Sequence, residues 1–254
     1  MENYTEDMNM DTSIEKRITD VKQRIEGACK RAGRDVSEVT LIAVSKTKPV
    51  SMIEEAYKVG IRNFGENKVQ ELVEKYNELN EKYGNSILWH QIGHLQRNKV
   101  KQVVDKAVLI HSVDSLRLGE KIEEEAAKKD IVCDILIEVN IAEEESKYGV
   151  RPDEVFELFK ELIRLSHIRV RGLMCVAPNV DDPEKNRKYF SKLRQLFIDI
   201  KTKNIDNGTS ETYFDPDKFN ILSMGMTNDF EVAIEEGATM VRIGTGIFGE
   251  RNYS

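Results

Sequence analysis

Eight short apolar segments, each followed by a polar amphipathic segment, set the pattern of this sequence. The apolar segments are continuous rather than alternating, which indicates strands that are buried on both faces. Regular alternation of strands and helices is typical of parallel sheets joined by helical crossovers. The predicted strands are 39–46, 61–67, 88–93, 108–113, 134–141, 170–177, 220–225 and 240–248.

Eight such units with an extra leading helix predict an α/β fold, a (β/α)8 TIM barrel. The leading helix begins at Thr12 or Ser13 and ends near Arg31, because apolar residues recur along one face. Other helical patterns cover 115–130 and 183–203. An open, doubly wound sheet remains the alternative, since periodicity does not show whether a sheet closes.

The length of 254 residues suits one barrel, and no segment resembles a linker. We therefore predict a disordered extension at residues 1–11 and a single barrel domain at 12–254. Inside that domain, the polar stretch 204–219 is predicted to be a long loop.

Charge and composition exclude several classes of protein. The net charge is −7 with both signs interspersed, whereas a nucleic-acid binder usually carries a basic stripe. No apolar segment approaches membrane-spanning length, and the acidic start lacks the apolar core of a signal peptide. Three scattered cysteines indicate neither a disulfide framework nor a metal cluster. We expect a cytoplasmic protein that binds neither nucleic acid nor membranes.

The stretch "LIAVSKTKPV" (41–50) brings a lysine, Lys46, to the carboxyl end of a buried strand, and Pro49 then favours a turn or a helix start. Active sites of barrels lie at this end of the strands. Desolvation lowers the pKa of a lysine and frees its amine for Schiff-base chemistry. Lys46 is therefore the first candidate site residue.

Glycine-rich segments lie at the ends of the seventh and eighth predicted strands. "LSMGMTND" (222–229) contains Ser223 and Gly225, and "RIGTGIFGE" (242–250) contains Gly244. The G-x-G-x-x-G pattern of the second lacks the context of a dinucleotide site, and a simple glycine-rich turn remains its plainest alternative. The loops after strands seven and eight of a barrel commonly bind phosphate, so we favour a phosphate site.

A Schiff-base lysine with a phosphate site indicates a phosphorylated aldehyde, and pyridoxal 5′-phosphate (PLP) fits. A class I aldolase acting on a sugar phosphate fits the same two features. His90 and His94 have the spacing of a helical metal-ligand pair, but Gly93 between them argues against a helix.

Further motifs carry a resemblance to a known family. They are "AVSKTKP", "FGENKVQE", "WHQIGHLQRNK", "HSVDS", "RGLMCVAP" and "LSMGMTNDFEVAIEEGATMVRIGTGIFGER". Over residues 12–251 the chain resembles the PLP homeostasis protein family. The resemblance implies the barrel of the alanine racemase amino-terminal domain, with PLP held as an internal aldimine on Lys46.

The same resemblance implies the other cofactor contacts. Ser223 and Gly225 match the phosphate loop after strand seven, and Gly244 and Thr245 match backbone phosphate donors after strand eight. The remaining two matches are Arg242, which faces the pyridine nitrogen, and Asn67, a polar contact near the cofactor. The sequence departs from the family pattern at Thr227, Gly246 and Tyr148, none of which removes a proposed ligand group.

The family implies a role in balancing intracellular vitamin B6, without robust catalysis. We expect a monomer that carries or buffers PLP, with apo PLP-dependent enzymes as partners. The alternative is a small PLP-dependent amino-acid racemase. Alanine-racemase-like enzymes add a β-rich second domain with an opposing acid–base residue, and with five residues after Gly249 we expect no such domain here.

Overall fold

The computed structural model describes residues 13–202 and 214–250 and shows a closed parallel barrel of eight strands. The strands pair in chain order, and β8 pairs with β1. The predicted barrel is therefore confirmed, and the open sheet is excluded. The predicted extension at 1–11 and most of the predicted loop at 204–219 lie outside the described residues. The strands are β1 Thr40–Val44, β2 Asn63–Glu66, β3 Leu88–Gln91, β4 Ala107–Val113, β5 Cys133–Glu138, β6 Ile168–Met174, β7 Ile221–Ser223 and β8 Met240–Ile243.

Each predicted strand is confirmed, although most strands are shorter than their apolar segments. The largest difference is at the eighth, where the prediction of a strand over 240–248 is wrong beyond Ile243. Gly244 takes φ −108° and ψ −78°, which leaves the extended region and starts a short helix. The glycine-rich turn thus ends the strand at the rim of the barrel.

Helices surround the barrel in the gaps that the sequence predicts. The leading helix, α1, begins after Ser13, whose hydroxyl accepts from the Lys16 backbone N–H at 3.2 Å. It packs against the last two helices, and Arg24 and Arg31 pair with Glu231. The helices are α1 Ile14–Arg31, α2 Val50–Lys58, α3 Val69–Tyr83, α4 Val100–Val103, α5 Leu116–Ala127, α6 Val155–Leu162, α7 Arg187–Thr202, α8 Phe230–Glu235 and α9 Thr245–Phe248.

The inside of the barrel is layered along the strands. Residues two apart on a strand face the same side. The lower interior is apolar and contains Leu109, Leu136, Met174 and Ile221, with Met240 packed against them. On four of these strands the residue two positions further on is polar, namely His111, Glu138, Ser223 and Arg242. A buried polar layer therefore separates an apolar floor from the carboxyl-terminal rim.

Candidate functional site

Lys46 lies two residues beyond the end of β1 and is half-buried. A tight turn follows, in which the Lys48 backbone N–H donates to the Ser45 carbonyl at 3.0 Å. Strand β8 lies beside β1, with Ala43 opposite Ile243. A Cβ atom on Gly244 would lie 3.4 Å from the Val44 carbonyl oxygen. The structure therefore brings the predicted lysine and the predicted phosphate turn to neighbouring strand ends.

A buried ion pair holds the turn that carries Lys46. Lys75 of α3 lies 2.8 Å from Glu66 of β2 and donates to the Ser45 carbonyl oxygen, also at 2.8 Å. The Ser45 hydroxyl donates to the same Glu66 oxygen at 2.6 Å. Burial raises the pKa of the Glu66 carboxyl, and the charge and hydrogen bond of Lys75 oppose that rise. We call this group, Ser45, Glu66 and Lys75, the β1–α3 clamp.

The residue after Lys46 is also held. Thr47 takes φ +63°, a left-handed conformation that is unfavourable for a β-branched residue. Its backbone N–H donates to a carboxylate oxygen of Glu71 at 2.7 Å. The backbone on both sides of Lys46 is therefore restrained by α3 and β2.

Two hydroxyl groups meet at the ends of β7 and β8. The Oγ atoms of Thr227 and Thr245 are 3.2 Å apart, and the Gly246 backbone N–H donates to the Thr227 hydroxyl at 3.3 Å. Thr245 is a predicted phosphate contact. The sequence prediction named Thr227 only as a departure from the family pattern, so its side chain at this position is an addition from the structure.

Gly225, another predicted phosphate contact, is buried with φ +89°. A Cβ atom there would lie 2.6 Å from the Ala233 Cβ atom. The glycine therefore allows α8 to pack closely behind the end of β7. Its carbonyl oxygen accepts from the Arg242 backbone N–H at 3.0 Å, which links the two strand ends.

Ser223 and Arg242 are in direct contact inside the barrel. An Arg242 Nη1 hydrogen is donated to the Ser223 Oγ at 2.6 Å, and Nη2 donates to the Cys175 carbonyl oxygen at 2.8 Å. The Ser223 Oγ also lies 3.0 Å from His111 Nδ1. The structure thus places the Ser223 side chain in the buried polar layer, facing the arginine rather than the hydroxyl pair at the rim.

His111 and Glu138 are members of the same layer that the sequence analysis did not single out. Glu138 is 8% exposed, and within the described part of the chain its Oε2 atom has no hydrogen-bond partner. The pKa of the Glu138 carboxyl is raised to about 7, mainly by burial and in part by the charge of Asp114, while the charge of Arg242 opposes the rise. An acidic residue in the apolar segment "DILIEVNI" and a histidine in "VLIHSV" were the available signals.

The other candidates are placed at or near the rim. Asn67 is half-buried beyond β2, and its carbonyl oxygen accepts from the Gln91 side chain at 3.0 Å. His90 lies inside β3, whereas His94 stacks on Tyr148 with ring centroids 4.0 Å apart. The two histidines therefore do not form a metal-ligand pair. Over residues 13–202 and 214–250 no group of three or more His, Cys, Asp or Glu side chains is arranged to hold a metal ion.

This arrangement fits a ligand that carries both an aldehyde and a phosphate. A lysine amine, two hydroxyl groups and the backbone of a glycine turn lie at neighbouring strand ends. Hydroxyl and backbone N–H groups are donors that suit an anion without requiring a basic cluster. The donor-only Arg242 lies in the layer below, where it would suit an unprotonated ring nitrogen. In the part of the chain that is described, no helix is long and apolar enough to cross a membrane.

Comparison with known proteins agrees with this description of the fold. Residues 20–252 match the family described as alanine racemase, N-terminal domain. The chain is 45% identical to the pyridoxal phosphate homeostasis protein of Aquifex aeolicus, over 94% of this chain and 98% of that protein. The Haemophilus influenzae protein of the same name is 40% identical over 95% of this chain and 98% of its own length.

A solved structure gives the same result. PipY of Synechococcus elongatus, determined with PLP bound, has a TM-score of 0.76 and 30% identity, covering 93% of this chain and 100% of its own. The identity and coverage together confirm the resemblance that the sequence motifs indicated. The chain belongs to the pyridoxal phosphate homeostasis protein family.

Proposed function

We propose that this chain binds PLP as a Schiff base on Lys46 and acts as a carrier or buffer of the cofactor. The observation that supports the proposal is that Lys46 and the Gly244–Thr245 turn follow the ends of two neighbouring strands, β1 and β8. PLP bound to a related protein, PipY, supports the identity of the ligand. We further propose that the carrier is a monomer and that apo PLP-dependent enzymes receive the cofactor.

Each part of the site has a distinct task in this proposal. The β1–α3 clamp and Glu71 orient Lys46 by fixing the backbone before and after it. Thr227, Thr245 and the backbone of Gly225 and Gly244 would hold the phosphate. Because the protein is acidic overall, attraction for the negatively charged phosphate must come from such local donors.

Arg242 restrains the chemistry that the site supports. Bound PLP supplies an electron sink, which is deepest when the ring nitrogen is protonated. A guanidinium is permanently charged and only donates hydrogen bonds, so it disfavours a protonated nitrogen beside it. Arg242 is 4% exposed, and its Nη atoms are engaged by Ser223 and Cys175. Reversible exchange of the cofactor between amines is the reaction that suits this environment.

A second candidate function is a PLP-dependent amino-acid racemase. Glu138 favours it, because a buried carboxyl whose pKa is raised to about 7 takes up or releases a proton near neutral pH. A racemase needs such a group in addition to the lysine. Steady-state assays with a panel of amino acids distinguish the two functions. Negligible turnover is expected for a carrier, well below the usual kcat of about 1–10³ s⁻¹.

The direct test of the carrier is PLP transfer from the loaded protein to an apo-enzyme, comparing wild type with Lys46→Ala. Lys48→Ala is the matched control, since its Nζ donates to the Glu250 carbonyl oxygen at 2.7 Å. We expect Lys46→Ala to abolish the stable yellow complex and Lys48→Ala to retain it. Borohydride reduction followed by peptide mapping should leave the pyridoxyl group on Lys46. An adduct found reproducibly on Lys48 or Lys68 would contradict the assignment.

A further inference from the structure

A chain of hydrogen bonds crosses the barrel interior from β8 to β2. It joins Arg242 Nη1 to Ser223 Oγ at 2.6 Å and Ser223 Oγ to His111 Nδ1 at 3.0 Å. It continues from His111 Nε2 to His90 Nδ1 and from His90 Nε2 to Asn63 Oδ1, both at 3.0 Å. We call these five side chains the interior relay. Each of the four links is short enough to be a hydrogen bond.

The two end groups determine the direction of every link. The Asn63 amide oxygen only accepts, so His90 donates to it from Nε2 and accepts at Nδ1 from His111 Nε2–H. His111 Nδ1 is then an acceptor and takes the Ser223 hydrogen, while the Ser223 oxygen accepts from Arg242, which only donates. Both imidazoles are therefore neutral Nε2–H tautomers, and every hydrogen in the relay points away from Arg242.

Burial reinforces this state. Ser223 and His111 are fully buried, and His90 is 2% exposed. Desolvation lowers the pKa of both imidazoles, that of His90 to about 3, and the positive charge of Arg242 contributes to the lowering at His111. An added proton on His90 Nδ1 would face the His111 Nε2–H, which is also a donor. An added proton on His111 Nδ1 would displace the Ser223 hydrogen and place a second positive charge close to Arg242.

The relay determines which groups the Ser223 hydroxyl can bind. Its single hydrogen is committed to His111, and its oxygen faces the Arg242 guanidinium. It has no second hydrogen for a phosphate oxygen. Thr227, at the rim beside Thr245, is the hydroxyl of the β7 loop that would serve the phosphate.

We propose that His111 and His90 are positioning residues for Arg242. By fixing Ser223 as an acceptor, they hold one Nη atom of the guanidinium, while the Cys175 carbonyl oxygen holds the other. The guanidinium is thereby presented in one orientation to the aromatic ring nitrogen of the cofactor. The effect on bound PLP depends on the proposed function, whereas the relay itself is a property of the unloaded chain.

The relay is tested first without any ligand. Nitrogen-15 NMR of the imidazoles in the full-length protein distinguishes the two tautomers and the charged ring, and single His→Gln variants assign the signals. We expect His90 and His111 to be Nε2–H tautomers that do not titrate between about pH 5 and 8, against an ordinary histidine pKa of about 6.5. An Nδ1–H tautomer or a titration near pH 6.5 at His111 would overturn the proposal.

The effect on the cofactor is tested with two variants of His111. In the PLP-loaded protein, His111→Phe removes the acceptor for Ser223, whereas His111→Asn retains a polar atom near the position of Nδ1. We expect His111→Phe to bind PLP about tenfold more weakly, the usual effect of one lost hydrogen bond. Its absorption spectrum and pH profile should shift in the same direction as those of Arg242→Gln, and His111→Asn should recover part of both.

Ser112→Ala is the matched control, because Ser112 is a fully buried neighbour on β4 that does not belong to the relay. A folded His111→Phe protein with the wild-type spectrum and pH profile would exclude the positioning role. If that variant does not fold, the tautomers measured in the wild-type protein decide whether the proposal holds. If wild type fails to bind PLP while the tautomers are as expected, the proposed function is wrong and the relay stands.

Discussion

Glu138 is the residue at which burial and charge conflict most clearly. Its Oε2 atom is buried without a hydrogen-bond partner among the described residues, and Asp114 adds a second negative charge nearby. The nearby charge of Arg242 only partly compensates. The folded protein therefore holds this carboxyl in its neutral form at pH values where an unfolded chain would release the proton.

The resulting prediction concerns Glu138→Gln in the unloaded protein. The pKa of Glu138 is about 7 in the folded protein, against an ordinary value of 4.5. Its ionisation therefore does not change the free energy of unfolding below pH 4.5, and it lowers that free energy progressively between pH 4.5 and about pH 7. Relative to wild type, the variant should gain up to about 3 kcal/mol at pH 8, a gain that is absent at pH 4. Urea unfolding at both pH values measures the difference. An equal change at pH 4 and pH 8 would show that Glu138 is ionised in the folded protein.

Among the elements, β1, β2 and α3 act together to present Lys46. The Lys75–Glu66 pair of the β1–α3 clamp is buried. The Lys75 Nζ atom lies 2.8 Å from a Glu66 carboxylate oxygen and 2.8 Å from the Ser45 carbonyl oxygen. Such a pair contributes little net stability, but removing one partner leaves the other charge buried and uncompensated. The clamp therefore favours one turn geometry over others.

Glu66→Gln tests this element. We expect a loss of up to roughly 3 kcal/mol in the free energy of unfolding, because Lys75 loses its nearer counter-ion and keeps only Glu71 at 3.6 Å, together with weaker PLP binding. The double variant Glu66→Gln, Lys75→Met removes the stranded charge and should recover stability while binding of PLP stays weak. Full recovery of binding in the double variant would mean that the clamp serves stability alone. Glu54→Gln, whose partner Lys82 is on the surface, is the control for loss of an ion pair.

At the scale of the whole molecule, the interior relay makes the barrel sensitive to acid. His90 and His111 have lowered pKa values in the folded protein, about 3 for His90. Their contribution to stability is complete above pH 6.5 and is lost as the pH falls toward the folded values, by about 1.4 kcal/mol per pH unit for each ring. Between pH 4.5 and 6.5, a falling pH increases the free energy of unfolding through Glu138, and this gain offsets the loss from one of the two histidines.

We therefore expect the free energy of unfolding to be largest near pH 6.5 to 7 for these three groups and to fall steadily below that range. The double variant His90→Gln, His111→Gln should show a flatter decline between pH 6 and 4, whatever its stability at pH 7. Thermal or urea unfolding across this range measures the slope. An unchanged slope would mean that the pKa of neither ring is lowered in the folded protein.

The sequence by itself determined the elements, the position of Lys46 and the family. Continuous apolar segments predict buried strands, Ser13 marks the start of α1, and Lys46 follows β1 as expected. These features are local, since periodicity, capping and strand ends depend on neighbouring residues. The prediction of a strand over the glycine-rich turn after β8 is wrong, because the apolar residues of the turn resemble a strand and the backbone changes direction at Gly244.

Only the tertiary structure decided closure and the contents of the barrel interior. His111 contacts Ser223 although the two residues are 112 positions apart in the sequence, and no local pattern at either residue predicts the contact. Closure, strand register and the alternation of side chains bring polar residues of β3, β4, β5, β7 and β8 into one buried layer. The same burial raises the pKa of Glu138 and keeps the histidines neutral. Such properties depend on which distant groups share a low-dielectric space, and local sequence patterns carry no information about that.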